Sequence, residues 1–469
     1  MYCRCSAAYA DASPNTHVCP VCMGLPGVLP VINRRAIEFT MMTALALNCS
    51  VPEYTKFDRK NYPYPDLMKG YQISQFDAPI ALGGYLDIEA DGQTRRAGIT
   101  RVHLEEDVAK LLHRTAPDGG NYSLVDINRA GSPLMEVVGE PDLRTPEEAR
   151  QYLIRLRTIL RYLGVSTGNM EEGSFRCDAN ISVRPVGSTE LGGKVEVKNM
   201  NSFRAVFMAL EYEAKRQRQR VADGKRLVQE TRGWVESEGK TVSQRSKEFA
   251  HDYRYFPEPD LPPINISREW VEEVRAKLPE LPEARKQRLM ADYIFSDYEA
   301  SLLTASREMA EYLETFIAEG AKGGYLAEET AKQGSNWLLG EVNRIMNANG
   351  IDIDEFKAKV SPEKLFELVE MVSKSSITGA AAKPVLAEMY ATGREAGGIV
   401  TEKGLGQIND TSELEQAVAQ VIESNQNPVE EYRAGKETVL KFLVGQVMKA
   451  TKGRADPQAV AEIIRQKLA

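Results

Sequence analysis

Histidine is scarce in this 469-residue chain: only His17, His103, His113 and His251 occur. Acid–base and metal chemistry must therefore lean on carboxylates. No run of eighteen apolar residues is present, which excludes a candidate membrane-spanning helix. No secretory signal opens the sequence, and the expectation is a cytoplasmic protein. Neither a GxxxxGK[ST] phosphate loop nor a kinase signature occurs, so any ATP is bound without a familiar phosphate loop. Internal repeats and low-complexity tracts are also missing. The net charge is −8, from 67 acidic and 59 basic residues. That balance excludes wholesale coating of nucleic acid but leaves room for a local basic surface. The length suggests two to four domains.

Cysteine is rare too, yet concentrated. Four of six fall in the first twenty-two residues, as Cys3-x-Cys5 and Cys19-x2-Cys22. Two close pairs separated by a loop are what a tetrahedral thiolate zinc site requires. Plain reduced thiols or disulfides are the alternative. A redox role for Cys19-Pro-Val-Cys22 is weaker, because no βαβ pattern surrounds it. Cys49 and Cys177 read as core residues.

Up to about residue 265 the chain is rich in Gly, Pro and β-forming segments. GGYLDIEA followed by DGQTRRAGITRVHLEED predicts a hairpin turning at Asp91-Gly92. Alternation predicts strands over Arg176–Pro185 and Lys194–Lys198. Helices are expected over Asn33–Leu47, Thr145–Leu163 and Phe203–Asp223, the second opened by a Thr145 cap and Pro146. Helices mixed with an extended, largely antiparallel sheet make an α+β domain. The proline cluster YFPEPDLPPI closes it. Helical periodicity follows, broken at Gly404-Leu-Gly406 and Asn409-Asp410, and the tail reads as three helices. The expected domains are 1–265, α+β with an N-terminal cysteine knuckle; 266–404, helical; and 405–469, a helical tail.

Three carboxylate clusters stand out: His103-Leu-Glu105-Glu106-Asp107, Arg176-Cys-Asp178-Ala-Asn180, and Glu196 with Lys198 and Asn199. Acidic side chains converging from neighbouring strands form a hard-oxygen site suited to Mg²⁺, whereas scattered strand-end acids do not. In residues 57–75, Arg59, Lys60 and Lys69 interleave with Tyr62, Tyr64 and Tyr71. That pattern fits contact with phosphate and a base, or a packed loop with its cations at the surface. In the tail, Lys436, Lys441, Lys449, Lys452 and Arg454 form a candidate basic surface for a polyanion, or an ordinary solvated helix face.

FDRKNYPYPDLMKGYQISQ, RVHLEEDVAKLLH, VDINRAGSPLMEVVGEPDLRTPEEA, MEEGSFRCDANISVRP, VEVKNMNSFRAV and DYRYFPEPDLPP, in this order, resemble the B subunit of the aspartyl/glutamyl-tRNA(Asn/Gln) amidotransferases. The tail resembles the family's small YqeY-like helical module, which at family level begins near residue 320. The resemblance implies an enzyme that corrects tRNA mischarged with Glu or Asp. The B subunit would use ATP and Mg²⁺ to phosphorylate the side-chain carboxylate of the aminoacyl group. Ammonia released from glutamine by the glutaminase, the A subunit, would displace the phosphate, in a complex that also holds a C subunit. The resemblance implies Glu106, Asp178 and Glu196 as Mg²⁺ ligands and Lys60 and Arg59 as phosphate-neutralising groups. Glu171, Glu172 and Lys198 are further candidates. The four cysteines match a zinc knuckle carried by some members. Family chains also carry, ahead of the knuckle, a strand reading G-[IL]-E-[VI]-H-x-[EQ]-L. Since this sequence begins after it, a start further upstream is expected. Without that strand, the alternative is a non-catalytic zinc-containing tRNA-binding scaffold.

Overall fold

The computed structural model describes residues 1–246, 253–408, 411–451 and 453–468, so His251, the Asn409-Asp410 break and Lys452 lie outside the described residues. The chain divides into two compact units, Met1–Leu281 and Pro282–Ala469.

The strand Gln93–Glu106 organises the first unit. It pairs antiparallel with Tyr85–Ala90 through the expected hairpin, and with Pro133–Gly139 and Ala81–Leu82. Asp91 and Gly92 both adopt positive φ (52° and 72°), the geometry of a two-residue turn that follows strand twist. A bulge interrupts the pairing with Pro133–Gly139 between Ile99 and Arg101. Ahead of the bulge Ala97 and Ile99 enter the core; beyond it Val102 and Leu104 do. The strand's phase has therefore shifted by one residue.

A second sheet has the order Ala179–Ile181, Val195–Lys198, Glu230–Val235, Lys240–Ser246. Its middle pair is parallel and its outer pairs antiparallel. The strand expected over Arg176–Pro185 shrinks to three residues. Beyond it Pro185 has no N–H to pair, Gly187 turns the chain at φ 85°, and the Val183 carbonyl abuts Gly192. A third sheet joins Phe256–Pro257, Asp58–Asn61 and Tyr71–Ser74, and brings the proline cluster back onto the residue 57–75 segment.

The helices form where capping signals start them. Asn33 caps Arg34–Ala46, and Ser202 caps Phe203–Ala222. Thr145 and Glu148 make a reciprocal capping box on Pro146–Tyr162. Their apolar faces meet the sheets in one core that includes Ile73, Ile88, Val102, Val195 and Ala209. Each fully buried Val or Ile contributes about 1.5–3 kcal/mol. The observed class is α+β.

The second unit is helical among its described residues. Tyr312, Phe316, Leu338, Phe356 and Leu368 are fully buried at its centre, and the Tyr312 hydroxyl donates to the Val360 carbonyl at 2.9 Å. The tail has its own core of Val418, Leu443, Val447, Val460 and Ile464. It contains Thr411–Ser424, Gln426–Arg433, Val439–Ala450 and Pro457–Leu468, one helix more than expected, because Asn425 leaves helical geometry (φ −131°, ψ 53°). Among the described residues, no helix is long and apolar enough to cross a membrane.

Candidate functional site

Glu106 ends the Gln93–Glu106 strand and is 3% exposed. Its Oε1 accepts from the Ile73 backbone N–H at 2.8 Å, and its Oε2 from Lys69 Nζ at 2.7 Å. The Gln72 side chain donates to its backbone carbonyl at 2.8 Å. Burial raises the carboxyl pKa, with Lys69 opposing. Glu106 lines a cavity of about 210 Å³ together with Lys69, Tyr2, Tyr71, Cys22 and Asp260. The Tyr2 hydroxyl is buried and has no hydrogen-bond partner among the described residues.

Asp178 and Glu196 meet elsewhere, on the second sheet, through Lys198. The Lys198 ammonium stands 2.7 Å from Asp178 Oδ2 and 3.4 Å from Glu196 Oε1. Strand pairing explains the placement. Asn180 faces Glu196 and Ala179 faces Val197, so Asp178 falls opposite Lys198. Glu196 Oε2 also accepts from Thr231 Oγ1 at 2.9 Å, its partner in the parallel pair. Burial pulls the Lys198 pKa down, but Asp178 and then Glu196 outweigh it and hold the ammonium above its ordinary value. Arg176 reaches back to Asp107 at 2.5 Å, tying the start of this segment to the residue beside Glu106.

Glu106, Asp178 and Glu196 do not close into one ligand cluster. Among the described residues, two groups bring three or more metal-binding side chains within 4.8 Å of one another: the four cysteines, and His103–Glu105–Glu136. Asp178 and Glu196 do not line the Glu106 cavity. Of the two phosphate-facing candidates, Arg59 is gripped bidentately by Glu258 at 2.8 Å on both nitrogens and lies over the Tyr71 ring. Lys60 makes no ion pair among the described residues; its ammonium lies 5.2 Å from the Tyr253 ring centre and 5.9 Å from that of Tyr62. Glu171 and Glu172 are exposed in a turn.

The cysteines do converge, with all four sulfurs within 4.8 Å of one another. Cys19 Sγ and Cys22 Sγ are 3.8 Å apart. A tetrahedral site with metal–sulfur bonds of about 2.3 Å has edges of about 3.8 Å. The tight turn that pairs them carries a Met23 N–H to Cys19 carbonyl bond of 3.0 Å, and the Cys19 N–H points at Cys22 Sγ at 3.0 Å. Burial opposes ionisation of Cys19, but the N–H groups of Cys22 and Val21 and the Cys5 thiol outweigh it, bringing the thiol down to about 7. Burial pushes the Cys5 thiol up.

Residues 1–272 match the family model for the GatB/GatE catalytic domain, and residues 319–468 that for the GatB domain. The chain is 61% identical over 468 residues to the B subunit of the aspartyl/glutamyl-tRNA(Asn/Gln) amidotransferase of Dehalococcoides mccartyi strain CBDB1, covering 100% of this chain and 95% of that one. It is 54% identical over 469 residues to the protein of the same name from Carboxydothermus hydrogenoformans, with the same coverage. The chain belongs to the B-subunit family of these amidotransferases.

In the tail, Lys436 pairs with Glu431 at 2.7 Å and Arg454 with Glu413 at 2.9 Å. Lys441 and Lys449 are exposed and make no ion pair among the described residues. Sequence reasoning placed Lys69 among cations suited to phosphate rather than on Glu106, and gave no role to Glu258, the anion on Arg59. Both lie within quoted motifs. Only the pairing of Asp58–Asn61 with Phe256–Pro257 and Tyr71–Ser74 reveals what they hold.

Proposed function

We propose that this chain is the activating component of a tRNA-dependent amidotransferase. Its substrates are Glu-tRNA(Gln), Asp-tRNA(Asn) or both, together with ATP and ammonia. The ammonia comes from glutamine through a partner glutaminase, the A subunit, in a complex that includes a C subunit. The likeness to amidotransferase B subunits over 100% of the chain carries this reading. A side-chain carboxylate is a poor acyl donor and an acyl phosphate a good one, so phosphorylation precedes amidation. Such a transfer is limited by positioning and charge rather than by covalent help.

Glu106, Asp178 and Glu196 are the proposed Mg²⁺ ligands, Glu106 from its own cavity and the other two as a pair on the second sheet. Asp178 and Glu196 offer hard carboxylate oxygens, with side chains 50% and 18% exposed, which suits an ion that keeps several waters. When bound, Mg²⁺ supplies neutralisation of the phosphate charge. Lys198 sits between the two carboxylates and holds them on one face of the sheet until substrate arrives. Lys60, which makes no ion pair among the described residues, faces phosphate; Arg59, fixed by Glu258, adds positive charge from a set position. Cys3, Cys5, Cys19 and Cys22 hold a structural zinc, with no position open for chemistry. Lys436, Lys441, Lys449, Lys452 and Arg454 contact the tRNA backbone.

The test is conversion of Glu-tRNA(Gln) and Asp-tRNA(Asn) by the assembled complex with ATP and glutamine. Glu196→Gln and Asp178→Asn should abolish ATP-dependent amidation while leaving tRNA binding within about twofold. Full activity in both variants would end the ligand assignment. Failure of the unaltered complex on both tRNAs would end the functional reading.

A further inference from the structure

Glu105 and Glu106 are neighbours on one strand and point to opposite faces. On the face away from Glu106, His103 and Glu105 stand side by side, and the antiparallel register sets Glu136 directly opposite His103. Three donor side chains from two strands thus come within 4.8 Å of one another. His103 and Glu105 are 3% and 6% exposed, whereas the Glu136 side chain is 48% exposed. The group has a closed side and an open side.

Its hydrogen bonding is incomplete. His103 Nε2 lies 3.7 Å from Glu105 Oε2 and 3.6 Å from Glu136 Oε2, beyond hydrogen-bond reach. His103 Nδ1 is buried and has no partner among the described residues. Ser74 Oγ donates to Glu105 Oε2 at 3.0 Å and fixes that carboxylate. Lys60, a cation whose charge acts on Glu105, makes no ion pair with it. Two carboxylates thus face one largely buried imidazole whose Nδ1 is left without a partner among the described residues.

We infer that His103, Glu105 and Glu136 form a binding site for a divalent transition-metal ion of the zinc type, with a solvent-facing position beside Glu136. An imidazole with two carboxylates suits such ions, whereas Mg²⁺ and Ca²⁺ take oxygen ligands alone. The spacing agrees. Bonds of about 2.0–2.2 Å place donor atoms about 3.4 Å apart at the tetrahedral angle, and about 3.0 Å apart at a right angle. The observed 3.6 and 3.7 Å fall on the tetrahedral side. Ser74 then orients Glu105 from behind, as outer-shell partners do. The site shares no residue with the cysteine group or with the proposed Mg²⁺ ligands.

The experiment equilibrates the full chain with Zn²⁺, removes free ion, and measures bound zinc. A parallel Co²⁺ titration reads the thiolate charge-transfer band, which reports the cysteine group alone. Unaltered protein should hold one equivalent beyond that reported by the band. Glu136→Gln should weaken this extra ion at least about tenfold and leave the thiolate band unchanged. His103→Gln should do the same. Because His103 is buried and its variant risks misfolding, the half-exposed Glu136 carries the decision. Unchanged zinc content in Glu136→Gln, or no ion beyond the thiolate-bound one in the unaltered protein, overturns the inference.

Discussion

Replacing Lys69 with methionine removes the cation from a carboxylate with almost no access to water. In the native protein its ammonium sits 2.7 Å from Glu106, which is 3% exposed. Without it, the carboxylate can stay charged, at about 3–5 kcal/mol for a buried charge that has lost its partner. The other route is to take up a proton. The ordinary carboxyl value is 4.5, so staying neutral at pH 7 costs 1.36 kcal/mol for each of two and a half units, about 3.4 kcal/mol. The cheaper route sets the ceiling, and the expected loss at pH 7 is about 3 kcal/mol. Its pH dependence distinguishes it from a simple packing defect. A carboxyl whose folded-state pKa is raised keeps its proton in the fold and releases it on unfolding. The deficit should therefore be absent below pH 4.5, about 1.4 kcal/mol at pH 5.5, and should grow as pH rises further. Burial already raises Glu106 in the native protein, so these figures are upper values. Urea unfolding without Mg²⁺ in a Trp337→Phe background, followed by fluorescence of Trp234 and Trp270, reads the first unit at each pH. Lys69→Met with Glu106→Gln should recover most of the loss. A deficit that does not change with pH, or that deepens toward acid, would refute the reasoning.

Two further outcomes are expected. Cys19→Ser should release about one equivalent of zinc and lower the thermal midpoint of the first unit; stoichiometric disulfides without metal in the native protein would contradict this. Lys441→Ala combined with Lys449→Ala should weaken tRNA binding and flatten the slope of log K against log salt by about one and a half to two, since each removes one phosphate contact. An unchanged slope would move the tRNA contact away from these helices.

Much of the fold was legible because its signals are local. The turn at Asp91-Gly92, the Thr145–Glu148 box and the Asn33 and Ser202 caps each depend on residues a few positions apart. The parallel pairing of Val195–Lys198 with Glu230–Val235 was not legible, since a whole helix intervenes. The extra break at Asn425 was missed because one asparagine scarcely disturbs an apolar periodicity. The four cysteines were legible as a group because paired spacing encodes their convergence. Alternation puts Asp178 with Asn180 on one face and Glu196 with Lys198 on one face, yet Lys198 as the joint partner of Asp178 and Glu196 emerges only from the register between strands. Arg59 and Glu258 lie 199 positions apart, a separation no short pattern spans.

The bulge between Ile99 and Arg101 decides which face each of the two chemistries of this strand takes. A chain lacking Thr100 would keep every functional residue and yet exchange their sides. His103 and Glu105 would turn toward the core, and Glu106 would leave Lys69 for the face now held by Glu136. The surplus residue thus acts as a phase marker, making the strand's length as consequential as its composition.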